Sequence, residues 1–426
     1  MSSGRVSSLL RVGGAAGFAC IIVAEAHAGG FAIREQSACG QGASFAGVAA
    51  GGCDISSMFW NPATMTQFAG TQVSLTASGI FGSSKNSPDP ATPFAVFGGT
   101  GNTAESALVP GSYFSYQVSP NFWIGMSVNA PFGLSVSFPG AWAGNEYAAG
   151  NSHLRTYNAT PSIAWQINNW ISIGAGVQIM YADAGLTRNA VPFAATAHLE
   201  GNGWTYGFTA GLTLTPTPTT TIGLGWRSAM DLELDGTLRL DPIFSGAPVN
   251  LDVKLPDIVS LGIRQQLGPQ WTLLGTIEWS NWSRIGTSQV NGAPVPTQVA
   301  FEYDDGWFFA LGAEYRWNPA LTLRAGVAYE ISPVTDGVRT PLVPDNDRLW
   351  LSAGFSYNIT QALKLDFGYS HIFVKDASVN IVPGHPAFGF VPYTGTVESH
   401  VDIVTVGLTY SWGAPAPVRQ TALVTK

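Results

Sequence analysis

The stretch Leu351-Ser352-Ala353-Gly354-Phe355-Ser356-Tyr357-Asn358 decides the fold. Its odd positions are apolar or small and its even positions polar or glycine, the period-two pattern of a strand with one face toward an apolar medium. The same pattern sets Trp271, Leu273, Ile277 and Trp279 against Thr272, Thr276, Glu278 and Ser280. It recurs as Leu321, Leu323, Val327 and Tyr329 against Thr322, Arg324 and Glu330, and as Leu363, Leu365, Phe367 and Tyr369 against Lys364, Asp366 and Ser370. The few charges fall on the polar face, which in a closed barrel faces the lumen.

Composition agrees with this reading. Only 11% of the 426 residues are charged and 46% are apolar, against roughly 25% charged in an ordinary soluble protein. After the N-terminal region no apolar run reaches the roughly 18 residues a membrane-spanning helix needs. The net charge of −8 speaks against nucleic acid as a partner. Residues 1–28 read as a secretory leader, with Arg5 and Arg11 ahead of an apolar stretch and Ala26-His27-Ala28 as a small-x-small cleavage site. Cys39 and Cys53 then remain in an exported, oxidising setting, either as a disulfide or as two small buried thiols. No zinc spacing occurs, so no metal or other cofactor is expected.

Alternation places fourteen strands near 71–82, 108–118, 121–138, 152–167, 170–186, 203–215, 219–235, 251–267, 270–286, 298–316, 320–331, 346–359, 362–375 and 397–412. Alternate connections are short, as at Asn168-Asn169, Gly268-Pro269 and Asn318-Pro319, and the others long, as at 83–107 and 376–396. Short turns at one end and long loops at the other mark an antiparallel outer-membrane barrel. Trp165, Trp170, Trp279, Trp282 and Trp317 at strand ends are expected in interfacial girdles. Residues 29–70 lack alternation but carry Phe45, Met58, Phe59 and Trp60, which predicts a luminal plug of short helices rather than a disordered leader. The strand closing with Tyr410-Ser411-Trp412 looks like the signal read by the barrel assembly machinery, and a tail over 413–426 follows.

Specific motifs sharpen the class. Gly30-Phe31, the run Gly40 to Gly47, Asn61-Pro62-Ala63, Pro131-Phe132-Gly133-Leu134, Thr160 to Trp165, Trp170 through Gly176 to Tyr181, and Pro344 through Trp350 to Gly354 succeed one another in an order that resembles the FadL family of outer-membrane transporters. The resemblance covers essentially the whole mature chain. It implies an all-β, fourteen-stranded antiparallel transmembrane barrel in the bacterial outer membrane, with an N-terminal luminal hatch. It also implies uptake of long-chain fatty acids or hydrocarbons through loop capture, hatch rearrangement and sideways exit at a kink in the third strand. On that reading Pro131 and Gly133 form the lateral gate, and Phe31, Asn61, Pro62 and Ala63 belong to the hatch. Phe132 lines the substrate path, and Arg188 matches a ligand-contacting arginine. The second basic position of the family falls on Asp304, an acid, which leaves room for an uncharged hydrocarbon cargo. The expected surroundings are outer-membrane lipid and lipopolysaccharide, with one chain per barrel. A general diffusion porin for polar solutes is the alternative, and it predicts an open lumen with charge rings. An enzyme is not expected, because His153, His198, His371, His385 and His400 are scattered and no G-x-S-x-G motif occurs.

Overall fold

The computed structural model describes residues 30–190 and 195–413, so the expected leader and nearly all of the expected tail lie outside the described residues. Fourteen antiparallel strands close into a barrel. They are β1 (Thr71–Pro88), β2 (Ala107–Ser119), β3 (Phe122–Asn129 and Gly133–Phe138), β4 (Gly150–Gln166), β5 (Ile171–Ala190), β6 (Ala195–Thr217) and β7 (Thr220–Arg227 and Met230–Asp241). The second half comprises β8 (Phe244–Leu255 and Ile258–Leu267), β9 (Trp271–Ser280 and Thr287–Asn291), β10 (Gln298–Ala300 and Gly306–Arg316), β11 (Leu321–Ile331), β12 (Arg348–Asn358), β13 (Leu363–Val374 and Ala377–Ile381) and β14 (Tyr393–Trp412). Each strand pairs with its sequence neighbour, and β1 pairs with β14 from Thr71↔Trp412 to Pro88↔Gly395 to close the ring. Closure removes the edges that an open sheet would expose.

The alternation sorts as the sequence reading requires. Along β12, Leu349 and Leu351 are 39% and 46% exposed on the outer face, whereas Trp350 between them is fully buried toward the lumen. Trp165, Trp170 and Trp317 stand exposed near the short turns. Trp282 is a correction: the strand ends at Ser280, a single helical turn over Trp282–Arg284 follows, and the indole is buried in the lumen. The period-two rule ceases at that turn, so the ring's direction could not be read from alternation. The long loops are also shorter than expected. β1 continues to Pro88, and 377–381 and 393–396 pair with each other as strand, because backbone ladders persist beyond the apolar span that makes a strand visible in sequence.

Residues Gly30–Gly70 occupy the lumen. A short helix α1 (Ala38–Gln41) and helical turns at Val48–Ala50, Ile55–Phe59 and Pro62–Gln67 make up the hatch. Phe45, Ile55, Met58, Phe59, Trp60 and Met65 are buried against inward residues such as Tyr113, Trp123, Phe308 and Trp350. The barrel meets this plug with glycines: a Cβ at Gly223 would collide with the Ala49 carbonyl, one at Gly225 with that of Trp60, and one at Gly326 with Ala43. The polar inner face bonds to the hatch instead of to water. Ser44 donates to Ser352 (2.7 Å), Gln41 to Ser370, and Gly47 N–H to Thr276 Oγ1 (2.8 Å).

Candidate functional site

The third strand is broken, and its ladder shows where. Asn129 pairs with Asn158 and Gly133 with Arg155, so the three residues 130–132 oppose only Thr156 and Tyr157. This is a one-residue bulge, which bends a strand and ends local pairing. Pro131, lacking an N–H, fits the position. On the other side, β2 pairs with β3 only up to Ser112↔Val128, and contact resumes at the isolated bridge Ala104↔Val136. Between these points the wall has no β2–β3 ladder.

The first described residues of the chain fill that interruption. Ala32 forms an isolated antiparallel bridge with Phe132. Ile33 N–H donates to Pro131 O (2.8 Å), Gly133 N–H donates to Phe31 O (2.9 Å), and the Gln36 side chain donates to Ala130 O (2.8 Å). Tyr113 of β2 reaches the same segment by donating to Gln36 O (2.7 Å). A Cβ at Gly133 would stand 2.6 Å from Ile33 Cδ1, so the absence of a side chain there lets the arm 30–36 seat. Pro131, Phe132, Gly133 and Phe31 are thus brought together in one place.

Above the arm lies an apolar region. The Phe31 ring meets Trp282 edge-on at 4.6 Å between centroids and has Phe132 and Phe301 at 6.3 and 6.1 Å; Tyr303 packs on Trp282 and Phe301. Arg188 and Asp304 do not meet there. Arg188 sits near the end of β5 opposite Ala197, exposed and without an ion pair among the described residues. Asp304 is exposed, and its N–H donates to Pro333 O (2.9 Å). Further toward the long loops, Trp142, Tyr147 and Tyr393 continue the apolar lining, and Glu146 accepts from Phe390 and Val391 N–H (2.6 and 3.0 Å), tying two loops together.

Below the arm, polar contacts join the apolar hatch to the wall. Asn61 precedes Pro62 and caps the last helical turn, its Oδ1 accepting from Ala63 N–H (3.0 Å), while Nδ2 donates to Ala49 O (2.7 Å) and Leu212 O of β6 (3.0 Å). The Asn-Pro-Ala motif therefore joins two hatch segments to the wall. Cys39 and Cys53 form a disulfide between α1 and the loop before Asp54. Cys53 borders a polar vestibule of about 290 Å³ at the short-turn end, lined by Arg264, Glu314, Arg316, Arg324 and Lys364.

Several contributing residues carried no motif. Arg34 pairs with Glu278 (2.7 Å) and lies within 3.9 Å of Glu330, its guanidinium 3.7 Å above the Phe308 ring. Gly30 N–H donates to Asp345 (3.0 Å), and Asp345 pairs with Arg348 and accepts from Ser332 (2.5 Å). The Asp345-Asn346-Asp347 segment, readable only as a turn, is thus an anchor for the arm. Inward alternation of Glu278 and Glu330 was the one available signal.

Residues 19–412 match the family of outer membrane protein transport proteins (OMPP1/FadL/TodX). The chain belongs to this family. It is 28% identical to a long-chain fatty acid transport protein of Escherichia coli O6:H1, covering 87% of this chain and 92% of the relative. Outer membrane protein P1 of Haemophilus influenzae is 27% identical, with 82% and 86% covered. Among solved structures, a Pseudomonas aeruginosa FadL homologue shares the fold at a TM-score of 0.82 and 23% identity, covering 90% of this chain and all of that one. The toluene transporter TodX of Pseudomonas putida does so at 0.68 and 16%, with the same shares covered. As a FadL/TodX family member the protein is an outer-membrane transport protein, in a family of channels and transporters rather than enzymes.

Proposed function

We propose that the protein takes up hydrophobic compounds, fatty acids or hydrocarbons, and releases them sideways through the wall at the break in β3. One observation carries the reading: the interruption between β2 and β3 is filled by a short arm of the hatch rather than by a strand. Burying each methylene is worth about 0.8 kcal/mol, so the apolar upper lumen holds an oily molecule that a water-filled pore would not. Exposed Phe94, Val96, Phe97 and Phe390 on the long loops supply a capture surface of the same chemistry. Cargo then passes the rings around Phe31, and withdrawal of the arm uncovers the break.

Those rings, with Asp304 where a base was expected and Arg188 set toward Tyr147 rather than among them, favour a ring-bearing or otherwise uncharged hydrocarbon over a carboxylate head. The family names on both sides of that choice, a fatty acid transport protein and a toluene transporter, are consistent with a hydrophobic cargo. A diffusion porin is disfavoured by the packed hatch across the lumen.

The test is deletion of Pro131, which removes the surplus residue and restores the register set by Asn129↔Asn158. Uptake of labelled toluene and of labelled oleate by cells carrying this barrel should fall at least tenfold, with the folded barrel still present as its heat-modifiable gel band. Uptake at the parental rate would overturn the lateral route.

A further inference from the structure

The arm that fills the break carries a carboxyl group in an unusual place. Glu35 is 1% exposed, and neither carboxyl oxygen makes a well-aligned hydrogen bond among the described residues; the backbone amides of Arg34 and Glu35 itself lie nearest, and its backbone O accepts from Ser78 of β1 (3.0 Å). The groups around it are charged. Arg34 is its neighbour on the arm, Glu330 of β11 and Arg348 of β12 face it, and beyond these stand Glu278 of β9 and Asp345 of the loop before β12. Arg227 of β7 faces Glu278 but bonds to Phe59 O (3.0 Å) and Gln178.

Among the described residues, carboxyls outnumber guanidiniums in this enclosure. Glu35, Glu278, Glu330 and Asp345 oppose Arg34, Arg348 and the more distant Arg227. Glu278 has Arg34 and Ser260, Glu330 has Arg34 and the Trp350 indole (3.1 Å), and Asp345 has Arg348, Gly30 N–H and Ser332. The other carboxyls each face a guanidinium or a side-chain donor, whereas Glu35 has within reach only the backbone amides of its own arm, its own and that of Arg34, to offset the loss of water. Burial without a side-chain donor therefore favours the protonated form of Glu35.

From this geometry we infer that Glu35 is a proton latch: the carboxyl is neutral while the arm closes the break in β3, and losing the proton drives the arm out. The step moves one proton from the Glu35 carboxyl to water and makes no other bond change. Burial, the largest influence, pushes this carboxyl up to about 7 from an ordinary value of 4.5. Because the closed arm holds the proton more tightly than the released arm, closure is strongest below about 4.5. It weakens up to tenfold per pH unit as pH rises toward about 7, then stays level.

The inference rests on the arm being the lateral stop, but its test needs no cargo. Hydrogen–deuterium exchange of the purified full chain in detergent, corrected for intrinsic rates, reads protection of residues 31–36 directly. In the parent, protection should fall on the order of fiftyfold between pH 5 and pH 8, while the segment around Asn61 stays constant. Glu35→Gln, which copies the neutral form, should be flat across that range. Glu330→Gln, which removes a facing negative charge, should move the transition to lower pH and offers a second reading if Glu35→Gln does not insert. Constant protection in the parent, or an equal fall in Glu35→Gln, overturns the latch. A pH-dependent arm combined with uptake that survives Pro131 deletion would keep the latch and sink the lateral route.

Discussion

The hatch has two halves built to different rules. Its base, from α1 to Gln67, is held by a disulfide, by glycines that admit its backbone against the wall, and by side chains such as Asn61 whose bonds are all made. Its arm, residues 30–36, is short, lies across a discontinuous ladder, and encloses a carboxyl with no side-chain donor among the described residues. Among the described residues, the carboxyl of the base, Asp54, accepts from the Ser56 N–H (2.8 Å), whereas that of the arm, Glu35, has no side-chain donor.

Substitutions can break this separation or sharpen it. The largest effect is expected from Phe31→Ala, which removes a buried ring from its contacts with Trp282, Phe132 and Phe301 and costs about 3–4 kcal/mol of arm seating. Ion conductance in planar bilayers should rise while exchange protection of the base is unchanged. Next, Cys53→Ser removes the cross-link over a 14-residue separation, worth about 3 kcal/mol by chain entropy. Here the base should soften in hydrogen exchange and the arm hold. Loss of arm protection in this variant would show that the halves are one unit.

Gly223→Val drives a side chain into the Ala49 carbonyl and is expected to cost about 2–3 kcal/mol, seen as faster proteolysis within 47–52. The smallest effect belongs to Ser352→Ala, which removes the bond to Ser44 for about 1 kcal/mol. It should lower thermal stability slightly and leave conductance alone.

Much of the architecture was legible because membrane strands obey a two-residue period with unlike solvents on their two faces. Leu351 and Ser352 announce opposite directions, and fourteen such segments count the wall. The kink at Pro131 and the anchors Phe59 and Trp60 were legible for equally local reasons. Illegible were contacts across the lumen. That Arg34 meets Glu278 and Glu330, or that Gly30 meets Asp345, depends on strand tilt and stagger around the ring, which no single strand encodes. Trp282 was misdirected because a turn interrupts the period beside it. The disulfide was open because spacing alone does not place two sulfurs together.

The bulge in β3 also has a genetic reading. Three residues stand opposite two, so a single in-frame codon separates the bulged third strand from one in continuous register with β4. Assembling a hatch to fill the lumen takes dozens of coordinated codons. The bulge is therefore a feature that one codon can add or remove, whereas the plug rests on contacts spread across the whole lumen.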